Sequence, residues 1–115
     1  MIIELSGKKI MNNTIAMKRF EIVIGIEQLE QLTELLDRCG VRGYTILKNV
    51  GGLGSRGVRD PDDVLMEEEN VMVVLACKDD QAQRVVNELR PALKGFGGMC
   101  LISDCLWLEG PAISY

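Results

Sequence analysis

The sequence predicts an α+β fold, a ferredoxin-like split βαβ sandwich: a four-stranded antiparallel sheet, two helices on one face of it, and a long loop between strands two and three. Three observations predict it. Alternating and helically periodic stretches follow one another in the order strand, helix, strand, strand, helix, strand (βαββαβ). Residues 19–50 and 70–108 each run strand, helix, glycine-containing turn, strand, so the order is a doubled unit. A chain of 115 residues has room for one hydrophobic core and not for two.

The first strand is read from "RFEIVIGI", where Phe20, Ile22, Ile24 and Ile26 alternate with Glu21, Val23 and Gly25. In "EQLEQLTELLDRCG", Leu29, Leu32, Leu35, Leu36 and Cys39 recur at helical spacing, acidic residues occupy the opening turn, and Gly40 supplies a left-handed stop. "GYTILKNV" is the second strand and "NVMVVLAC" the third. Asp80 and Gln83 have the spacing of a capping box for the next helix, whose apolar stripe is Ala82, Val85, Val86, Leu89 and Leu93, with Pro91 weakening its last turn. "GGMCLISDCLWLEG" is the fourth strand. The folded domain is thus expected over residues 18–109, with a short tail at 110–115. Residues 1–17, with methionines at 1, 11 and 17 and an Asn12-Asn13-Thr14 break, leave three readings open: a short edge strand, a partly disordered arm, or a start placed too early.

In the third strand Val71, Val73, Leu75 and Cys77 alternate with Met72, Val74 and Ala76, so both of its sides are apolar. Two helices cover only one sheet face. The other needs a cover too, and further copies of the same chain are the economical one, which predicts a cyclic homo-oligomer.

Composition narrows the function. Apolar residues make up 47% and charged residues 26% of the chain, and no apolar run approaches the ~20 residues that cross a bilayer. Thirteen Lys and Arg against seventeen Asp and Glu give a net charge of −4 without a basic tract, which argues against nucleic acid as a partner. The absence of His removes the commonest general base and metal ligand. Cys39, Cys77, Cys100 and Cys105 contain no C-x-x-C pair, and Lys8 and Lys9 are not followed by the apolar core of a secretory leader. Reduced thiols in a cytoplasmic protein are the expectation.

One stretch invites a nucleotide. "NVGGLGSRGVRD" places Gly52, Gly54 and Gly57 at G-x-G-x-x-G spacing beside Ser55, Arg56 and Arg59. A dinucleotide fingerprint must lead from a strand into a helix, and this one leads into "VRDPDDVLMEEEN", which has no helical stripe. A Walker loop fails as well, for want of a Lys-Ser or Lys-Thr after the last glycine. The stretch instead opens a loop over residues 51–69 that joins the two inner strands and is far longer than the two to six residues usual in compact domains. Glycines and arginines start the loop, and six carboxylates (Asp60, Asp62, Asp63, Glu67, Glu68, Glu69) end it. Such a loop suits a switch: Arg56 and Arg59 pair with local carboxylates until an anionic ligand takes them. A second glycine cluster, "KGFGGM", occupies in the second half the place that "CGVRGY" has in the first. Both are turns whose N–H groups are able to form an anion nest, and tight turning alone explains the glycines as well.

Together these residues resemble the PII-like trimeric signalling proteins. The resemblance covers about residues 18–109 and rests on "GVRGYTILKNVGGLGSRGVR", similar to the family's helix-to-strand turn and T-loop base, and on "DDQAQRVVNEL", similar to its second helix. "GSRGVR" is closer to the branch associated with carboxysomes and bicarbonate transport than to the nitrogen-regulatory members. The resemblance implies a homotrimer with inward-facing sheets and adenine nucleotides in clefts between subunits. It implies that Gly43, Tyr44 and Thr45 line the base and ribose, that Gly54, Ser55, Arg56 and Arg59 meet phosphates or a small anion such as bicarbonate, and that Gly97 and Gly98 contribute from the last turn. It further implies that the 51–69 loop docks onto a transporter or enzyme. Nitrogen-regulatory relatives carry a Lys after the glycine pair and arginines beyond the last strand, whereas this chain has Met99 and then "LWLEGPAISY", without Lys or Arg. That points away from tight ATP binding and toward ADP, AMP, a cyclic nucleotide or no nucleotide. The uridylylated Tyr of those relatives has no counterpart in residues 51–69.

The reading is therefore of a sensor of a small anionic ligand, with no catalytic residue, no metal site and no obligatory cofactor. The alternative is a small ferredoxin-fold enzyme acting on a phosphorylated substrate, in which Arg56 binds phosphate and an acidic loop residue holds magnesium. A metal-responsive module built on the acidic patch and the cysteines is disfavoured because adjacent carboxylates point apart. A purely structural oligomer is the residual case.

Overall fold

A computed structural model describes residues 2–5, 8–54, 57–59 and 69–109, with side chains described over 11–52 and 69–109. Strands β1 (Ile2–Leu5) and β2 (Lys8–Met11) pair antiparallel as a separate two-stranded sheet. Asn13, at φ 62°, turns the chain from β2 into β3 (Thr14–Gly25), and the Thr14 hydroxyl donates to the Met11 carbonyl. The first seventeen residues thus hold strands, and the main sheet begins at Thr14, four residues earlier than the boundary expected from the pattern.

After β3 a 3-10 turn (Ile26–Gln28) leads into α1 (Leu29–Arg38), then β4 (Thr45–Lys48), β5 (Gly52–Gly54), β6 (Gly57–Arg59), β7 (Asn70–Cys77), α2 (Asp79–Phe96) and β8 (Met99–Leu108). β4, β7, β3 and β8 form one antiparallel sheet in that spatial order, so the predicted βαββαβ sandwich is the fold. The two central strands are β3 and β7. The long loop therefore runs from an edge strand, β4, to a central one, not between two inner strands as expected. Within it β5 and β6 pair antiparallel, with Leu53 opposite Val58.

Alternation decides the faces. Phe20, Ile22 and Ile24 of β3 and Val71, Val73 and Leu75 of β7 point to the helix side and are buried, where they pack with Leu32, Leu35 and Leu36 of α1 and Val85 and Leu89 of α2. Burying each such side chain stabilises the fold by about 1.5–3 kcal/mol, and truncating one to Ala costs about 2–5 kcal/mol. The described residues include no buried polar or charged residue, so this core holds by apolar packing.

The opposite face is open. Leu47 (46% exposed), Met99 (46%) and Leu101 (56%) stand on it beside half-buried Met72, Val74 and Ala76. Its charges include Arg19 and Glu21, paired at 3.0 Å. At the far end β3 and β8 pair from Thr14–Leu108 onward, whereas β7 reaches only as far as Lys18, leaving a two-stranded ribbon beyond the sheet. Lys18 and Asp104 close an ion pair across the base of that ribbon.

Two local expectations change. No capping box forms at Asp80: the N-cap of α2 is Lys78, which makes no side-chain cap bond, Asp80 accepts from the Gln81 N–H at 2.9 Å, and the Gln83 amide donates to Asn87 instead. Two acids in the first turn complement the helix dipole in place of the cap. The helix also runs on past Pro91 to Phe96, into the stretch expected as a glycine turn, because a proline removes one ladder bond and the apolar stripe remains docked on the sheet through Phe96.

Gly98 shows how closely β8 approaches β3. A Cβ there would collide with the Val23 carbonyl oxygen and stand 2.7 Å from Ile24 Cγ2. We expect Gly98→Ala to lower the unfolding free energy by at least about 1–3 kcal/mol in urea titration, since backbone must shift. Gly95→Ala, with open space around its Cβ, should raise stability by about 0.5–1 kcal/mol.

Candidate functional site

The end of α1 sets the geometry of the turn that carries Gly43, Tyr44 and Thr45. Gly40, at φ 81°, occupies the left-handed position that an L side chain avoids. Its N–H donates to the Asp37 carbonyl at 2.9 Å and the Val41 N–H to the Leu36 carbonyl at 3.0 Å, the paired bonds of a Schellman ending. Buried Val41 sits beside buried Leu36, supplying the apolar contact that accompanies this motif. The chain then reverses through Arg42 and Gly43, and Thr45 enters β4 opposite Val74, on the open face. Tyr44 is 40% exposed.

An open groove of 620 Å³ lies against this turn, lined by Thr33, Glu34 and Asp37 of α1 together with Val41, Arg42 and Tyr44. Tyr44 is the one predicted site residue in the lining. Arg42 escaped the sequence reading; its place directly before Gly43 in "GVRGYT" was the available signal. A second groove of 490 Å³, between the helices along Gln28, Leu35, Pro91 and Phe96, contains none of the predicted residues.

The loop over 51–69 leaves and returns at one end of the sheet. Its root is pinned twice: the Val50 N–H donates to the Asn70 carbonyl at 3.2 Å, and the Ile26 N–H to the Glu69 carbonyl at 2.8 Å. Asn49 takes a left-handed φ of 58° just before it. Gly54 and Arg59 lie on the backbone of β5 and β6, with Arg59 opposite Gly52. Ser55 and Arg56 lie outside the described residues, as do the loop carboxylates other than Glu69.

Gly97 ends α2 as Gly40 ends α1, with φ 66° and its N–H donating to the Leu93 carbonyl at 2.9 Å. The two glycine turns are therefore structural counterparts, and the Gly97 donor is already taken. The Gly97–Gly98 turn lies at the same end of the sheet as the loop root, because Gly98 abuts Val23 and Ile24 while Lys48 opposes Val71, the partner of Ile24. The two sets stand on opposite edges. Three inter-strand spacings, about 14 Å, separate β4 from β8. One chain thus brings the loop root and the last turn to one end without bringing them into contact. Among the described residues no cluster of three metal-ligating side chains occurs, and no helix is long and apolar enough to cross a membrane.

A family model for nitrogen regulatory protein P-II matches residues 17–108, and the chain belongs to that family. A UPF0166 protein of Methanocaldococcus jannaschii is 31% identical over 83 residues, 70% of this chain and 75% of that protein. CPII of Thiomonas intermedia K12, a nitrogen regulatory PII-like protein solved with ADP, AMP and bicarbonate, superposes with a TM-score of 0.76 at 27% identity, covering 84% of this chain and 92% of CPII. A putative PII-like signalling protein of Thermus thermophilus shares the fold, with a TM-score of 0.66 at 23% identity over 84% of this chain and 93% of its own. The protein is a PII-like signalling protein, of a family that is regulatory in kind.

Burial keeps the four thiols in their protonated form at neutral pH. Burial pushes Cys77 and Cys100 up to about 11, and raises Cys39 and Cys105 above their ordinary value. Below the ordinary 9.0 these thiols are protonated whether the chain is folded or not, so the shift leaves stability intact. Between about 9 and 11 the unfolded chain releases protons that the folded chain keeps, and stability falls as pH rises. The thermal midpoint should accordingly drop across pH 9–11 in a reduced sample, and Cys77→Ala with Cys100→Ala should flatten that part of the profile.

Proposed function

We propose that this protein senses a small anionic ligand, an adenine nucleotide such as ADP, AMP or cyclic AMP, or bicarbonate, and signals to a transporter or enzyme through its 51–69 loop. The observation that carries the reading is its likeness to CPII, bound to ADP, AMP and bicarbonate, over nearly the whole length of both chains. ADP and AMP rank above ATP here, since Met99 and the cation-free "LWLEGPAISY" leave a triphosphate without the charges that its third phosphate needs.

The working form is a homotrimer in the cytoplasm. Support for assembly comes from the open sheet face, on which Leu47, Met99 and Leu101 would otherwise meet water. Support for a shared cleft comes from the separation of the two edges: a ligand touched by both the β4 side and the β8 side needs a second copy to supply one of them. In that cleft Gly43, Tyr44 and Thr45 receive the base and ribose, Gly97 and Gly98 shape the opposite wall, and Gly54, Ser55, Arg56 and Arg59 take the phosphates or the small anion. Ligand binding draws the arginines away from the loop carboxylates, and the partner reads the change. No step of chemistry is required.

Calorimetric titration with ADP, AMP, ATP, cyclic AMP and bicarbonate tests the sensing reading, and silence from all five would end it. Arg56→Glu and Arg59→Glu should each weaken a phosphate-bearing ligand at least tenfold with the thermal midpoint unchanged, as a lost charge-assisted contact of about 1.5–3 kcal/mol requires. Light scattering should return the mass of three chains, and Leu101→Glu should return that of one.

A further inference from the structure

We propose that Gln81 is a positioning residue for the ligand turn: it bolts the Cys39–Gly40 end of α1 to the first turn of α2, and so sets the shape of residues 40–45. The proposal rests on the reading of Gly43, Tyr44 and Thr45 as ligand contacts.

A helix leaves its last carbonyls without intrahelical partners. At the end of α1 the Schellman bonds take up the carbonyls of Leu36 and Asp37. Those of Cys39 and Gly40, beyond Arg38, receive the side chain of Gln81: its Nε2 donates to the Gly40 carbonyl at 2.6 Å and lies 3.4 Å from that of Cys39. Both partners are carbonyl oxygens, so only the amide nitrogen end of the side chain fits, which assigns its orientation.

Gln81, the third residue of α2, turns its amide to the end of α1 and not back to the helix N-terminus, where Lys78 makes no side-chain cap bond. The Cys39 thiol lies 3.7 Å from the Arg84 carbonyl, a second link between the same two segments, one turn along α2. Immediately after the bolted residue the chain lines the groove with Val41, Arg42 and Tyr44. Gly40 has no side chain to hold its own position, and a Cβ there would lie 3.4 Å from the Gln81 nitrogen. The turn before β4 is therefore held at one end by the β4–β7 ladder and at the other by the Schellman bonds, buried Val41 and the Gln81 amide, which ties it to α2 through the Gly40 carbonyl.

Two readouts on the full chain test this. Gln81→Met keeps the length of the side chain and removes the donor; Gln81→Lys restores a donor. With Gln81→Met, hydrogen exchange over 40–45 should rise severalfold while exchange over β3 and β7 stays as in the parent, and ADP should bind about three- to tenfold more weakly, the loss of one hydrogen bond. Gln81→Lys should recover both. Unchanged exchange over 40–45 in Gln81→Met overturns the proposal, and so does raised exchange with parental ADP affinity. If the parent binds none of the nucleotides, the sensing reading falls instead, and the exchange comparison still decides whether Gln81 sets the turn.

Discussion

Two helices laid on a four-stranded sheet shield one of its sides, and most features of this chain follow from what that leaves over. The shielded side is closed by aliphatic and aromatic packing from β3, β7, α1 and α2, with no buried polar residue among those described. The bare side carries Leu47, Met72, Val74, Met99 and Leu101 around one neutralised charge pair. Apolar area removed from water is worth roughly 25 cal/mol per Å², so a contiguous bare face favours association in proportion to what it covers. Within one chain the turns beside β4 and β8 stay on opposite edges of the sheet.

The pseudo-repeat explains why the candidate residues come in matched places. Each half ends its helix on a left-handed glycine, Gly40 or Gly97, and then turns into an edge strand, β4 or β8. Identical local physics yields different surroundings. The first turn opens toward a groove with Tyr44 and Arg42, whereas the second is pressed against β3 so tightly that Gly98 has no room for a methyl group. Gly40 and Gly97 both serve a backbone angle, whereas Gly98 serves contact.

Much of this was legible in the residues, and the exceptions have physical reasons. Strand alternation in "RFEIVIGI" and "NVMVVLAC" and the leucine spacing of α1 located the core, because burial on one side leaves a period that a reader can count. Spatial order did not follow from chain order: which strands lie inside the sheet depends on crossovers, and the sequence reading put the loop between two central strands when it leaves an edge. The capping box at Asp80 failed because spacing identifies a possible cap without choosing which residue begins the helix. Thr14 and Ala16 of β3 were missed because a ribbon edged by Asn12 and Asn13 lacks the alternation of a covered strand. The family resemblance pointed to Gly43, Tyr44 and Thr45, of which Tyr44 lines the groove, and it pointed to neither Arg42 nor Gln81. Gln81 is a polar residue on a helix surface, and nothing local says that its amide meets a carbonyl forty-one positions away.

The two backbone bonds at the root of the long loop carry a consequence for its length. Val50 to Asn70 and Ile26 to Glu69 act as fixed posts, so the sheet registers only the span between them and not the chain that hangs from it. Doubling the length of such a span costs only about 0.6 kcal/mol in closure entropy. A change in the length of that span is therefore tolerated while the posts and the scaffold behind them stay as they were.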